Sequence, residues 1–435
     1  MIEIRTIGGF GEVGKNCTAI KVDDFAFILD MGIHLDNYIE LTENDFVENI
    51  STKQLVKSEA IPDTSFIKDW EVKAIIPSHA HLDHIGGIPF LSNNFNANIL
   101  ATPFTNAVIK RISTDAKKKL KNKLISINPN SSYQLTENIK VEFVEITHSI
   151  PQTALLVIHT PYGAIVYAND FKLDNHPVIG KKPNLEKLKQ LGDNGILCLI
   201  VECLYASYPR KTPSEKVAKE LLREAMLDTV TEGKQVVATT FSSHLARLKS
   251  IIEYGKKMNR KVVLLGRSLH KYVAAGQDVG LIDFSDVKIV PYKKQIKKFL
   301  KNVKNKEEYL FVVTGHQGEP QAVLNRLSNE EFDFKFNQGD IVLFSCQVIP
   351  SETNIRNREI LDQKLKDQGV RLFTDLHTSG HASKEDLRQL IELLRPKNII
   401  PAHGTQDMMN AFKTLSDEMN HKKVHLIKNF EKLIL

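Results

Sequence analysis

At 435 residues the chain is too long for one hydrophobic core, since single cores stop growing at roughly 250–300 residues, and we expect two or three domains. Apolar residues at 42% and charged residues at 25% are ordinary for a folded protein, which excludes the disordered and fibrous classes. No apolar run reaches the roughly 20 residues of a membrane helix, and the first residues show no signal-peptide pattern, so we expect a cytoplasmic protein that does not contact a membrane.

The net charge is only +6, but lysine is concentrated in two runs, residues 117–123 and 293–306. Each run is either a solvated helix face or a surface that follows nucleic-acid phosphates. The four cysteines are scattered and form no CxxC pair, which argues against a disulfide framework or a thiolate zinc site and predicts reduced, mostly buried thiols.

The first third of the chain alternates short β-rich runs with turns, which predicts an antiparallel or mixed sheet. The predicted strands, in chain order, are IEIRTI, TAIKV, FAFILD, VKAIIP, ANILA, KVEFVEI, TALLVIHT and AIVYAND. Residues 34–67 are polar and irregular, and we expect a long excursion at the surface. Residues 9–14 match GxGxxG, but a strand rather than a helix follows them, which argues against a dinucleotide site.

From Pro213 the pattern changes to helices that alternate with strands. Helical runs such as SEKVAKELLREAMLDTV are followed by strand-like runs such as KQVVATTF, which predicts a parallel α/β unit over residues 206–370. Near Arg371 a further strand leads into the well-patterned helix EDLRQLIELLRP and then the strand NIIPAHG.

The segment SHAHLDHIGG at residues 78–87 follows a predicted strand and holds four potential metal ligands, His79, His81, Asp83 and His84. The spacing by two directs His79 and His81 to one side of an extended segment, while the following turn can bring Asp83 and His84 round to a second ion. Imidazole and carboxylate together suit zinc, with manganese (Mn2+) as the alternative because carboxylates are harder ligands.

Three further candidate ligands each end a predicted strand: His148, Asp170 and His403. Because a two-metal site needs ligands at strand ends that face one pocket, we predict that these three complete it. Histidines outside any such context are expected to be structural or solvated; they are His34, His159, His176, His421 and His425.

Taken in order, these motifs resemble the metallo-β-lactamase superfamily, which has an early Asp after a strand, HxHxDH, a later His, an Asp and a final His. The resemblance implies an αββα sandwich with two Zn2+ per chain, and zinc makes bound water acidic enough to act as a nucleophile near pH 7. Asp30 is then a residue that orients ligands without binding metal. The implied ligands are His79, His81 and His148 for one zinc, Asp83, His84 and His403 for the other, and Asp170 as the bridge.

His403 lies far beyond Asp170 in the sequence, and the α/β alternation fills the gap. This organisation resembles the β-CASP nucleases, in which an inserted domain closes over the metal pocket and forms a nucleic-acid groove. The implied fold is α/β, with a metallo-β-lactamase domain built from residues 1–205 and 371–435 and an inserted parallel α/β β-CASP domain at 206–370.

Several segments narrow the resemblance to the ribonuclease J family: GGFGEVGKN at 8–16, FKLD after Asp170, VTGHQGEP at 313–320, HTSGHAS at 377–383 and PAHG at 401–404. By this resemblance Asp83, Glu202 and His381 are catalytic, and the Glu202–His381 pair orients an imidazole that protonates the leaving oxygen or binds phosphate. The resemblance also implies a pocket for a terminal 5′ phosphate, unless its residues are only structural turn residues. They are Ser242, Ser243, Ser379, Gly380 and His381.

The sequence departs from the family at several points. Glu202 stands where bacterial members often have Asp, and Asn169 stands where Gly is common. The chain continues only to Leu435 after His403, so we expect the compact architecture of the archaeal members, without the C-terminal domain of the bacterial ones. A homodimer, if it forms, would then use another surface.

The resemblance predicts a 5′ to 3′ exoribonuclease that acts on single-stranded RNA and prefers 5′-monophosphate ends, in RNA decay or maturation. The alternative enzyme is an endoribonuclease that processes RNA or tRNA precursors. An inactive RNA-binding subunit is disfavoured because none of the candidate ligand positions is substituted. A small-molecule hydrolase is disfavoured because it would leave the inserted domain unexplained.

Overall fold

The computed structural model describes residues 1–42 and 50–435. Its strands, in chain order, are β1 (Ile2–Gly8), β2 (Phe10–Gly11), β3 (Cys17–Val22), β4 (Phe25–Leu29), β5 (Val72–Ile76), β6 (Asn98–Ala101), β7 (Leu124–Ser126), β8 (Ser131–Gln134), β9 (Lys140–Glu145), β10 (Ala154–Thr160), β11 (Gly163–Ala168), β12 (Ile196–Glu202), β13 (Val236–Thr239), β14 (Lys261–Leu265), β15 (Lys288–Val290), β16 (Tyr309–Val313), β17 (Ile341–Phe344), β18 (Arg371–Phe373), β19 (Asn398–Ala402), β20 (Gly404–Thr405) and β21 (Lys432–Ile434).

The helices of the described residues are α1 (Leu35–Thr42), α2 (Thr52–Lys57), α3 (Leu82–Ile85), α4 (Ile88–Leu91), α5 (Pro103–Asp115), α6 (Leu185–Asn194), α7 (Glu215–Leu227), α8 (Leu245–Lys257), α9 (Arg267–Asp278), α10 (Lys293–Asn302), α11 (Val323–Ser328), α12 (Glu352–Asp367), α13 (Lys384–Leu394) and α14 (Gln406–Glu418). Across residues 1–42 and 50–435, no helix is both long enough and apolar enough to cross a membrane.

The chain folds as two compact units. The first comprises Met1–Asn175, Gly180–Thr212 and Gly380–Leu435, and the second comprises His176–Ile179 and Pro213–Ser379. These boundaries differ from those expected for the inserted domain, which were residues 206 and 370. Strand β18 begins after residue 370 yet pairs in parallel with β17, so its backbone hydrogen bonds hold it in the second unit.

Two large sheets and the two-stranded sheet β2-β20 build the first unit. One large sheet has the order β21-β1-β3-β4-β5-β6-β7, and the other has the order β19-β12-β11-β10-β9-β8. In the first sheet β1, β3 and β4 are antiparallel neighbours, whereas β4 to β7 run parallel, so the predicted mixed sheet is confirmed.

The inner faces of these two sheets share one hydrophobic core. Ile4 and Phe27 of the first sheet lie in the same buried cluster as Phe143 and Tyr167 of the second. Side chains alternate between the faces of a strand, so the neighbouring residues of the second sheet point outward into another cluster with α6, α13 and α14. The result is a sandwich of two sheets with helices on the outer face of the second, in agreement with the fold that the family resemblance implied.

The second unit is built on one sheet with the order β15-β14-β16-β13-β17-β18. Every neighbouring pair in it is parallel, which confirms the parallel α/β prediction. Helices cover such sheets on both faces. On one face Phe311 and Phe344 pack with Leu300 of α10 and Leu361 of α12.

The prediction for residues 34–67 is wrong in its described part, and residues 43–49 lie outside the described residues. Helices α1 and α2 form there, and Leu55, Ile61 and Ile67 are buried. Ser51 and Gln54 cap α2 reciprocally, a sequence signal that marks a helix start. The prediction for the cysteines is confirmed, because all four thiols are free and buried.

Candidate metal centre

One edge of the sandwich collects the ends of several strands. In the first sheet β4 and β5 run parallel and end near Asp30 and His79. In the second sheet β11, β12 and β19 run parallel, and β9 shares their direction because β10 is antiparallel to both β9 and β11. His148, Asp170 and His403 follow β9, β11 and β19, so the topology brings the candidate ligands to one place.

Four of the candidates form a first group: His79, His81, His148 and Asp170, whose donor atoms all lie within 4.8 Å of one another. Nδ1 of His81 lies 3.2 Å from Nε2 of His79 and 3.1 Å from Nε2 of His148. Two nitrogens that bind one tetrahedral zinc at bond lengths of 2.0–2.1 Å are roughly 3.3 Å apart. The three imidazoles therefore have the spacing that a shared ion requires.

A second group consists of Asp83, His84, His403 and, again, Asp170. Nε2 of His84 lies 3.4 Å from Oδ2 of Asp83 and 3.2 Å from Oδ2 of Asp170, while Nε2 of His403 lies 3.4 Å from Oδ1 of Asp170. Asp170 thus belongs to both groups, and its Oδ1 is buried without a hydrogen-bond donor among the described residues. A buried carboxylate oxygen without a donor is costly unless a cation satisfies it, so these residues fit a divalent metal.

The histidines of the two groups differ in protonation state. Burial lowers the pKa of His79, His81 and His148, with the neighbouring imidazoles adding to the effect, so these rings are neutral and their nitrogens are free to bind metal. Burial also disfavours a charge on His84, but Asp170, Asp83 and Asp30 outweigh it and raise the pKa of His84 well above its ordinary value. A divalent cation would replace that proton.

Asp30 lies behind the candidate ligands and contacts His84. Nδ1 of His84 lies 2.7 Å from Oδ2 of Asp30, which leaves Nε2 of the ring directed at the second group. Ser78 donates from its backbone N–H and its hydroxyl to the same carboxylate, and the Ser78 hydroxyl is 3.0 Å from Nδ1 of His79. Tyr167 donates a further hydrogen bond of 2.9 Å to Asp30. Such outer partners fix the tautomer and direction of ligand rings.

The sequence did not indicate the role of Asn16. Its side-chain nitrogen lies 2.9 Å from Nδ1 of His403 and 3.1 Å from Nε2 of His84, and its Oδ1 accepts a hydrogen bond of 3.0 Å from Asn169. Asn169 donates also to the hydroxyl of Tyr167, at 2.9 Å. The signal for Asn16 was present, because it ends the quoted segment GGFGEVGKN.

His403 reaches the site through strand pairing. β19 pairs in parallel with β12, which places Ala402 opposite Glu202, and the backbone N–H of His403 donates to the carbonyl of Gly9 at 2.6 Å. Asp30, Asp170 and His403 all have left-handed backbones, with φ of 58°, 59° and 50°. Non-glycine residues adopt this region uncommonly, and such backbones concentrate at functional sites.

Glu202 and His381 lie beside the ligands. Nδ1 of His381 is 2.8 Å from Oε2 of Glu202, and donor atoms of Asp170, Glu202 and His381 lie within 4.8 Å of one another. Oε1 of Glu202 accepts hydrogen bonds from the backbone N–H groups of Phe171 and Ala382. Burial opposes a charge on His381, but Glu202 and Asp170 outweigh it and raise the pKa of His381 to about 9.

The residues expected to bind phosphate are distributed over both units. The carbonyl of Gly380 lies 2.7 Å from Nδ1 of His148, and a Cβ at position 380 would meet Ser149 at 2.7 Å, so glycine is required there. Ser242 and Ser243 follow β13 in the second unit, where the hydroxyl of Ser242 is 2.9 Å from that of Ser268. Ser379 is the last residue of the second unit. Their phosphate role stays a prediction.

The histidines expected to be structural or solvated are not members of the three ligand groups found among the described residues. His159 lies 3.0 Å from Glu142, His421 is 2.6 Å from the carbonyl of Pro396, and His425 is 3.0 Å from Asn398.

Family comparisons match most of the chain. Residues 10–185 match the metallo-beta-lactamase superfamily, residues 233–363 match the beta-CASP domain of ribonuclease J, and residues 370–427 match the Zn-dependent metallo-hydrolase RNA specificity domain. A solved structure, of a protein of unknown function from Enterococcus faecalis V583, covers 100% of both chains with a TM-score of 0.67. Its identity of 18% shows likeness of fold alone.

Curated relatives are similar over the whole length. Ribonuclease J of Methanocaldococcus jannaschii is 43% identical over 100% of both chains. Ribonuclease J of Pyrococcus abyssi is 42% identical over 99% of this chain and 96% of its own, and that of Synechocystis sp. is 32% identical over 94% of this chain and 61% of its own. Identity of this extent, together with the matched domains, shows that the chain belongs to the ribonuclease J family.

Proposed function

We propose that this chain is a metal-dependent ribonuclease with two zinc ions, which degrades single-stranded RNA from the 5′ end and prefers a 5′ monophosphate. The observation that carries the proposal is that Asp170 belongs to two separate groups of donor atoms, one with three imidazoles and one with Asp83, His84 and His403. Paired metal sites of this kind serve in-line hydrolysis of phosphodiesters. Membership of the ribonuclease J family supports RNA as the polymer.

In this proposal His79, His81 and His148 would hold one ion, Asp83, His84 and His403 would hold the other, and Asp170 belongs to both groups. Bound there, the ions would supply an acidified water and Lewis-acid polarisation of the phosphoryl group. Manganese is the alternative to zinc, because two of the seven residues, Asp83 and Asp170, offer carboxylate oxygens.

Glu202 and His381 are proposed to handle the leaving group. Because the pKa of His381 is raised to about 9, its ring is protonated at neutral pH and can donate a proton to the departing oxygen. Glu202 keeps the Nδ1 proton directed toward its own carboxylate, so the opposite nitrogen, Nε2, is the atom that can reach a substrate.

The 5′-monophosphate preference is proposed from the residues that the family resemblance associates with a terminal phosphate: Ser242, Ser243, Ser379, Gly380 and His381. A cationic His381 supports an anion site, because the charged ring attracts a terminal phosphate. A terminal phosphate held at a fixed distance from the metals would make degradation directional. We propose that the substrate is cytoplasmic RNA.

The experiment is a comparison of one RNA sequence with a 5′ monophosphate, a 5′ triphosphate or a 5′ hydroxyl, incubated with zinc-loaded protein. The proposal expects mononucleotides, released fastest from the monophosphate substrate. Internal fragments at similar rates from all three substrates would reject the exonuclease and leave the endoribonuclease. No cleavage of any substrate by protein with two bound ions would reject ribonuclease activity itself.

A further inference from the structure

Helix α10 of the second unit carries five lysines on one face. At about 100° per residue they span roughly 140° of the helix circumference, and each of them is exposed. They are Lys293, Lys294, Lys297, Lys298 and Lys301. The opposite side of the helix buries Ile296 and Leu300 against the sheet. The lysine face is therefore the solvent side of a well-anchored helix.

The positive charge of this face is largely uncompensated. Residues 287–306 contain no Asp or Glu. Over the described part of the chain, only Lys293 of the five reaches a carboxylate, that of Glu331 at 3.8 Å. Helix α8 shows the usual alternative, since Lys257 pairs there with Glu253 four residues before it at 2.8 Å.

The lysines also destabilise helix α10. Lys293 repels Lys297, and Lys297 repels Lys301, because residues four apart on a helix are neighbours. Lys293 and Lys294 lie in the first turn, where the helix dipole is positive, and Tyr292 provides no side-chain cap. A face that served solubility alone would be more stable with both signs of charge. Departures from local stability of this kind are expected where a function needs them.

A groove of about 720 Å³ adjoins the lysine face, between α10, strand β15 and the start of β16. Its lining is rich in hydrogen-bond donors, contributed by Lys288, Gln295, Lys298, Asn302 and Lys304. The carboxylate of Glu308 also lines the groove, where Lys261 and Asn305 each donate to it at 2.8 Å. The half-buried rings of Phe299 and Tyr309 line it as well, with centroids 6.2 Å apart. The groove reaches the amino end of β16, whereas Ser242 follows the carboxyl end of its parallel neighbour β13, so the two lie at opposite ends of these strands.

We propose that the lysine face and this groove bind the phosphate backbone of single-stranded RNA, at a place distinct from the expected phosphate residues Ser242 and Ser243. Lysines four residues apart are about 6 Å apart along the helix, similar to successive phosphates of an extended strand. The rings of Phe299 and Tyr309 in the groove can stack with bases, which an acidic protein does not offer. These features favour RNA over an acidic protein. The inference rests on the proposed ribonuclease function.

The test is the salt dependence of RNA binding by the zinc-loaded full chain with four lysines neutralised, K294Q/K297Q/K298Q/K301Q. The probe is an unstructured phosphorothioate RNA of about 20 nucleotides, which keeps the backbone charge and resists cleavage. We expect at least a tenfold loss of affinity at low salt, and a salt slope smaller by about 1 to 3, since each phosphate contact on a single strand contributes about 0.7. The melting temperature should not fall, because like-charge pairs are removed.

The matched control is K117Q/K119Q/K121Q/K123Q, which removes the same charge from the other lysine run, in the first unit. Unchanged affinity and slope in the α10 variant would overturn the inference. Equal losses in both variants would overturn it as well, because binding would then follow net charge. If the unaltered protein neither binds nor cleaves RNA, the proposed function itself has failed, and that outcome is distinguishable from the other two.

A second measurement does not depend on affinity. Lys298→Cys can be coupled to a photoreactive benzophenone selectively, because the four native thiols are buried. The inference expects this position to cross-link to the RNA and Lys119→Cys, labelled in the same way, not to do so. A cross-link at position 119 without one at position 298 would overturn it.

Discussion

The side-chain nitrogen of Asn169 donates a hydrogen bond of 3.0 Å to Oδ1 of Asn16. Asn16 in turn lies 2.9 Å from Nδ1 of His403, and Asn169 donates to Tyr167, which donates to Asp30. The residue directly before Asp170 therefore joins the partners of His403 to those of His84. Relatives with glycine at this position would lack this connection through a side chain.

Asn169→Ala should weaken metal binding about 10- to 100-fold, because the second group of ligands loses a partner that fixes its orientation. Competition with a chelator of known affinity measures this loss. Asn410→Ala, an exposed asparagine of α14, is the control and should bind metal normally. Normal metal affinity in Asn169→Ala would show that the connection has no role at the site.

Glu202→Gln should lower kcat about 100-fold with little change in KM, because the proposed proton donor, His381, loses the carboxylate that keeps it protonated. The folded pKa of His381 is raised to about 9, so activity that needs the protonated ring is present below that pH and is lost as the pH rises through it. Without the Glu202 charge this basic limb should move to lower pH.

The pH profile separates two roles for His381. If the ring only binds phosphate, Glu202→Gln should raise KM while the basic limb of kcat stays in place. Glu232→Gln, which alters an exposed carboxylate, is the control and should leave both parameters unchanged.

The number of metal ions bound per chain should fall when a residue of either candidate ligand group is removed. Elemental analysis should find two ions per chain in the unaltered protein and one ion per chain in His81→Ala and in His403→Ala. Asp170→Ala should bind fewer ions than either of these variants, since Asp170 belongs to both groups. All three variants should lose cleavage but retain RNA binding. The exposed His270→Gln should keep two ions. Two ions in His81→Ala would exclude that ring as a ligand.

Arg247→Ala should destabilise the second unit by about 3–5 kcal/mol, the cost of leaving a buried charge without its partner. Arg247 is fully buried and donates to both carboxylate oxygens of Glu215, at 2.6 and 2.8 Å, and to the carbonyl of Ser345. Urea unfolding followed by circular dichroism measures the change. Arg395→Ala removes an exposed pair with Asp193 and should cost about 1 kcal/mol or less. Similar costs in both variants would contradict this account.

The strands and helices near the site could be predicted because their patterns are local. The segment at residues 78–87 offers candidate ligands at a characteristic spacing, and His148, Asp170 and His403 were recognisable as residues that follow strands. The parallel second sheet followed from alternating helices and strands. Helix α2 was missed because residues 34–67 are polar on average, although its capping box was readable.

The tertiary structure alone decided which distant groups meet and which atoms they present. Pairing of β19 with β12 fixes the position of His403 along the strand direction. The Nδ1 atom of His81 faces the Nε2 atoms of His79 and His148. The hydrogen bonds of Asn16 and Asn169 depend on the packing of strand ends that lie more than a hundred residues apart in the chain. Composition and periodicity specify how a residue relates to its near neighbours. Contacts of long sequence separation arise only when sheets close on a shared core, so the candidate ligands could be named from the sequence, whereas their relative geometry could not.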